Sequence, residues 1–294
     1  MADLAFPAPK GAKGRAPRRK LPISLVIGIV LVGFILGMAL LAFIWTPHDP
    51  VKLNVRARLA PPGTEGYLLG TDKLGRDVLT QIMVGAQNTL FVSVVSSLLS
   101  LVLGVGLGLA AAAATPGLRN VINRGIDIFA AIPGILIAMV LATTLSPGNT
   151  AAIVAIVAWF TPSTARVTLG PAQQVLTQDY VEAAHAYGRS KGFIMFRHVL
   201  PNIVPVLIVQ TSVMFALAIL VEATLSFIGV GAQPPIASWG RILRDAQPLI
   251  DVAPALMLYP GLAIVIAVLG FNLLGDGLRT WLDPKQGNHS AGGH

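Results

Sequence analysis

Along most of this chain apolar residues do not alternate with polar ones; they run in long blocks. A helix that crosses the hydrocarbon core of a bilayer needs about 20 predominantly apolar residues. Leu21 to Thr46 carries no charge and predicts a first crossing. Between Asp77 and Arg119 there is again no charged residue, a stretch longer than one crossing needs. Gln81, Gln87 and Asn88 place its first part at the interface, which leaves Leu90 to Ala114 as the second crossing. Ile128 to Ser146, interrupted by Pro133, predicts a third, and Thr150 to Ala165, carrying Pro162, a short fourth. Ile203 to Val221 and Val252 to Gly275 complete the set, with Asp276 ending the last helix and available to pair with Arg279. Prolines inside such helices are tolerated where neighbouring helices or water satisfy the freed backbone, so they point to a packed bundle with hinges.

One polar interval, "VEAAHAYGRSKGFIMFRHVLPN" from Val181, interrupts the blocks between the fourth and fifth crossings. Asp179 with Glu182 three residues later reads as a capping box that opens a helix at Tyr180. Gly188 permits the left-handed backbone that closes it, and Ser190 can cap the next helix. That second helix runs from Lys191 to about Val199, and Pro201 stops it and starts the fifth crossing. The product is a helix, a bend and another helix joined to a span, an element able to transmit force.

Composition agrees with the blocks: 54% of the 294 residues are hydrophobic and only 12% charged, against about a quarter charged in soluble domains. The fold class is therefore all-α, a polytopic membrane protein. There is no cysteine, which excludes disulfides, thiolate metal sites and cysteine nucleophiles. The net charge of +8 lies beside apolar segments, so it reads as topogenic rather than as a nucleic-acid surface. With the N-terminus in the cytoplasm, 14 of the 21 Lys and Arg fall in inside segments, among them Arg119, Arg124, Arg166, Arg189 and Arg197. Six crossings with both termini cytoplasmic follow from the positive-inside rule. The first apolar run is too long for a signal-peptide core and no A-x-A site follows it, so it is read as a retained helix.

Chemistry is thin. "GRSKG" from Gly188 fits the serine hydrolase string, but no strand precedes the serine and no triad stands behind it. His48, His185, His198, His289 and His294 show no metal-ligand spacing, and no metal site is assigned. "GFILG" from Gly33 and "GVGLG" from Gly104 permit close helix packing. No G-x-x-x-x-G-K-[ST] occurs, so by that route the chain binds no nucleotide. Glu222 interrupts an apolar span near its outer end; it either makes a structural hydrogen bond or ion pair or lines a solute path. Glu182 can cap its own helix, and Gly188 can serve backbone geometry as well as contact.

"EAAHAYG" from Glu182 followed by "RHVLPN" from Arg197 resembles the EAA loop of ABC importer permeases. Three further stretches, "LGTDKLGRDVLTQIMVGAQNTL" from Leu69, "VEATLSFIGVGAQPPIASWGRIL" from Val221 and "FNLLGDGLRTWLDPK" from Phe271, resemble the second permease subunit of dipeptide, oligopeptide and nickel importers. Basic residues common near Gln81 and Gln87 in that family are absent, and Arg189 replaces a usual small residue. The resemblance implies a type I ABC importer transmembrane domain in a bacterial or archaeal cytoplasmic membrane. It implies a path for peptides or a similar small solute, nickel being an alternative. Glu182, Ala183, Ala184, Gly188, Leu200 and Pro201 would couple it to an ATPase. The implied partners are a homologous permease subunit, two cytoplasmic ATPase subunits that use ATP and Mg, and an extracytoplasmic solute-binding protein, with no cofactor on this chain itself. On this reading the chain divides into a basic, disordered tail (1–20), a first helix with an external loop (21–85), a core holding the EAA loop at about 179–201 (86–276), and a C-terminal tail (277–294). The rival of another class is an ion-coupled secondary transporter, which would place ionisable residues along a mid-membrane path.

Overall fold

The computed structural model describes residues 21–64 and 66–282; the basic tail and the residues beyond Leu282 lie outside the described residues. The described chain forms ten α-helices: α1 (Ile23–Ile44), α2 (Val78–Ala113), α3 (Pro116–Ala131), α4 (Gly134–Leu145), α5 (Asn149–Leu176), α6 (Asp179–Ala186), α7 (Lys191–Ile194), α8 (Leu200–Ile228), α9 (Trp239–Ala246) and α10 (Ala255–Leu282). Among the described residues, α1, α2, α5, the continuous Lys191–Ile228 rod and α10 are long and apolar enough to cross a membrane. The sixth crossing is the pair α3 and α4, bent by 82°. Pro133 causes the bend: it supplies no amide hydrogen and drives Ile132 out of helical geometry, to φ −82° and ψ 123°.

Contacts between helices fix their directions. Gly28 lies against Leu274 and Gly277 against Leu25, so α1 and α10 run antiparallel. Gln87 reaches Ala39, Gly134 meets Trp159, and Phe215 packs at a tilt against Phe271, which sets α2 against α1, α4 against α5 and α10 against α8. Regular alternation puts residues 21 and 282 at the same end of the bundle as α6. The opposite end carries the 46–77 and 229–254 connections.

The structure corrects several boundaries. α2 is one helix of 36 residues, and its polar start is not an interface segment. Asp77 accepts from the backbone and hydroxyl of Thr80. Gln81 donates to the Pro50 carbonyl at 2.7 Å and Gln87 to the Ala39 carbonyl at 3.0 Å, so both amides staple α2 to its neighbours. α5 runs on to Leu176 through Pro162 and Pro171, and Arg166 sits inside it rather than in a loop. α10 passes through Asp276, which does not end it, and Asp276 forms no ion pair with Arg279. The divisions at 85/86 and 276/277 thus fall inside α2 and α10.

The two glycine patterns part company here. A Cβ on Gly104 or Gly108 would run into Thr164 and Thr168 of α5, one turn apart on each helix. With Asn149 donating to Asn88 at 2.6 Å, these contacts lock α2 and α5 in parallel register. Gly33 and Gly37 meet nothing within 4 Å.

Candidate functional site

The knuckle begins at α6. Its cap is Gln178, which makes no side-chain capping bond; its carbonyl instead accepts from Val181 and Glu182. The predicted capping box is therefore not formed, and Asp179 lies within the first turn with Glu182. Both carboxylates still oppose the positive end of the helix dipole. Val181 is fully buried, as are Ile194, Val199 and Ile203, and with Leu109 and Ala172 they form an apolar foot under the knuckle.

The end of α6 follows from hydrogen bonding. Gly188 donates to the His185 carbonyl at 3.0 Å and Arg189 to the Ala184 carbonyl at 3.2 Å, the paired pattern of a helix stop that needs a left-handed residue between. Gly188 supplies it at φ +75°, and a Cβ there would touch nothing within 4 Å. Backbone geometry, not crowding, demands the glycine. Ser190 then caps the next helix, its Oγ accepting from Phe193 at 3.3 Å.

Pro201 does not stop that helix. The Met195–Val199 segment widens into a π-turn, with Leu200 donating to Met195, and α8 continues without a break. A proline lacks the amide hydrogen and crowds the carbonyl four residues back, and the wider turn just before it accommodates both. Lys191–Ile228 is thus a single rod of 38 residues, about 57 Å long at 1.5 Å per residue.

The six residues singled out for coupling divide into two sets. Glu182, Ala183, Gly188 and Pro201 are exposed, whereas Ala184 and Leu200 are half-buried against the apolar foot. Sequence reasoning missed the aromatic side of the knuckle. Tyr187 is 86% exposed and Phe196 71%, Arg189 lies over the Phe193 ring at 5.0 Å, and Asn202 donates to both Tyr180 and the His198 carbonyl. No signal in the sequence separates an exposed aromatic from a buried one here.

At the far end of the rod Glu222 is buried, and Ser226 donates to its Oε1 at 2.7 Å. The Thr89 and Ser238 hydroxyls stand beside the carboxyl group, and Oε2 has no protein hydrogen bond. Ser226 in turn accepts from Ala232, while the fully buried Trp239 donates from its indole to Ile82 at 3.0 Å. The rod ends in a knot that gathers α2, α8 and α9. Above it, Lys73 pairs with Asp245 and Arg76 with Asp72. Burial pushes the Arg241 guanidinium below its ordinary pKa, and the neighbouring Asp245 pulls it back up.

A family model described as "binding-protein-dependent transport system inner membrane component" matches residues 104–288. A putative peptide transport system permease protein of Brucella suis is 40% identical over 262 residues, covering 89% of this chain and 88% of that one. The dipeptide transport system permease of Haemophilus influenzae is 38% identical over 265 residues, covering 88% and 90%. The fold is similar to that of a chain in an inward-facing structure of the MetNI methionine ABC transporter, with a TM-score of 0.59 and 21% identity over 69% of this chain and 96% of that one. With its bent polar loop, six crossings and these relatives, the chain belongs to the family of inner membrane components of binding-protein-dependent transport systems, as a multi-pass permease subunit of the ABC importer type.

Proposed function

We propose that this chain forms half of the translocation path of an ATP-driven peptide importer, and that α6 and the bend at Gly188 dock onto a separate cytoplasmic ATPase subunit. The observation that carries the reading is the single helix from Lys191 to Ile228, with an exposed, polar knuckle at one end and the buried Glu222 knot at the other. A displacement at the knuckle moves the outer knot with it. Such a bundle is biased between two packings by contacts that differ in the two states, and ATP binding on the partner provides that difference. The knuckle end and both chain termini then face the cytoplasm, and the 46–77 and 229–254 connections face the solute-binding protein. A second, homologous permease completes the path. ATP and Mg belong to the ATPase subunits, and this chain acts without a cofactor of its own. The relatives' names favour peptides over nickel as cargo.

The test is recovery of the ATPase with the purified permease. Glu182→Lys and Gly188→Val are expected to leave membrane insertion intact and to lower recovery roughly tenfold, the factor that ~1.4 kcal/mol produces. Wild-type recovery and transport in both variants would refute docking at the knuckle. Uptake driven by an ion gradient without ATP would refute the motor itself.

A further inference from the structure

Three of the grooves among the described residues can be set side by side, and one differs in kind. The groove between α2 and the α7–α8 rod is walled mainly by Leu101, Val105, Leu109 and Met195, and the groove between α8 and α10 by Leu207, Phe215 and Phe271. Both are lined chiefly by apolar side chains. The third, of about 260 Å³, lies between α3, α5 and α8 and presents Ser163, Arg166 and Gln210 beside Trp159 and Met214.

Arg166 projects from α5 into an ion pair with Asp127 of α3, and the two side chains are 56% and 61% exposed. The pair does not lie at the helix ends. Thr164, two residues earlier, packs on Gly104, and α2 continues to Ala113, so Arg166 lies about 10 Å inside the end of α2. Charged side chains inside a membrane bundle face its interior or a water-filled cavity, because hydrocarbon cannot solvate them. The two other grooves hold no such ion pair, and this one places a guanidinium beside Ser163 and Gln210.

We propose that this cleft is a solute subsite on the translocation path and that Arg166 takes the carboxylate of a passing solute, a peptide C-terminus on the function proposed above, on which this inference rests. The planar guanidinium fork matches a carboxylate with two parallel hydrogen bonds. Gln210 and Ser163 add hydrogen-bonding capacity, and Trp159 and Met214 offer apolar surface to side chains. Asp127 gives the subsite its weakness. It holds the guanidinium when no solute is present, so the incoming carboxylate exchanges with one already bound. A path needs such sites, favourable enough to enter and weak enough to leave.

The experiment uses the assembled transporter, with its ATPases and binding protein, in proteoliposomes. Uptake of a mixture of free di- and tripeptides is compared with uptake of the same peptides as C-terminal amides. Wild type is expected to take up the free peptides. Arg166→Gln is expected to lower their uptake roughly tenfold while binding-protein-stimulated ATP hydrolysis persists, with Arg166→Lys intermediate. The free-to-amide ratio should fall in Arg166→Gln, a comparison in which the binding protein's own preference cancels between variants. Asp127→Asn removes the competing carboxylate and should lower both KM and kcat for free peptides. Wild-type uptake and an unchanged ratio in both Arg166 variants would overturn the subsite while leaving the peptide function standing. A wild type that takes up neither peptide form under active ATP hydrolysis would overturn the peptide function itself.

Discussion

The two ends of the Lys191–Ile228 rod are held by different physics. At the Glu222 end directional bonds dominate: Ser226 to Glu222, Ala232 to Ser226, the Trp239 indole to Ile82, and ion pairs joining Lys73 and Arg241 to Asp245. At the knuckle end an apolar foot of Val181, Ile194, Val199 and Ile203 does the holding, and no ion pair ties residues 179–202 among the described residues. Hydrophobic contact is non-directional, whereas a buried hydrogen bond is lost on a small displacement. The Glu222 knot therefore keeps its internal geometry when the rod moves, while the knuckle keeps its polar crest exposed.

Breaking the Glu222 knot should cost most. Trp239→Ala empties a fully buried site and is expected to destabilise the bundle by about 3–5 kcal/mol, read as a large drop in melting temperature of the detergent-solubilised protein. Glu222→Ala strips Ser226 of its buried acceptor and should cost about 1–3 kcal/mol. Glu222→Gln, which retains an acceptor, should melt near wild type, and equal losses in the two would show that the charge and not the hydrogen bond matters. At the knuckle the effects should be local. Gly188→Val forces a branched side chain into left-handed backbone, at about 1–2 kcal/mol, and should speed amide exchange in α6 without moving the global melt. Ser190→Ala removes the cap on Phe193 for about 1 kcal/mol and should fray only the first turn of α7. Least affected should be Lys73→Ala: its pair with Asp245 is more than a third exposed on the lysine side, so the loss is expected within about 1 kcal/mol and to shrink as salt rises.

The knuckle was largely legible because its instructions are local. A glycine that ends one helix and a serine that caps the next act within a few residues, and both appear where the sequence put them. The capping box failed because backbone bonds to the Gln178 carbonyl did its work. Pro201 misled because a π-turn, which no residue type announces, carries the helix past it. Gln81 and Gln87 misled for the opposite reason: their amides are satisfied by the carbonyls of Pro50 and Ala39, partners more than thirty residues away.

The sequence by itself determined how many times the chain can cross, where it bends at Pro133 and Gly188, and that no Walker-type nucleotide site lies within it. Those properties follow from apolar run length and from residues whose backbone limits are intrinsic. Only the tertiary structure decided which side of each helix meets another helix. It set Gly104 and Gly108 against Thr164 and Thr168, left Gly33 and Gly37 open, and turned Arg166 toward Asp127. Lipid and helix neighbours are both apolar, so the periodicity that marks the buried side of a soluble helix is faint in a span, and shape complementarity makes the choice.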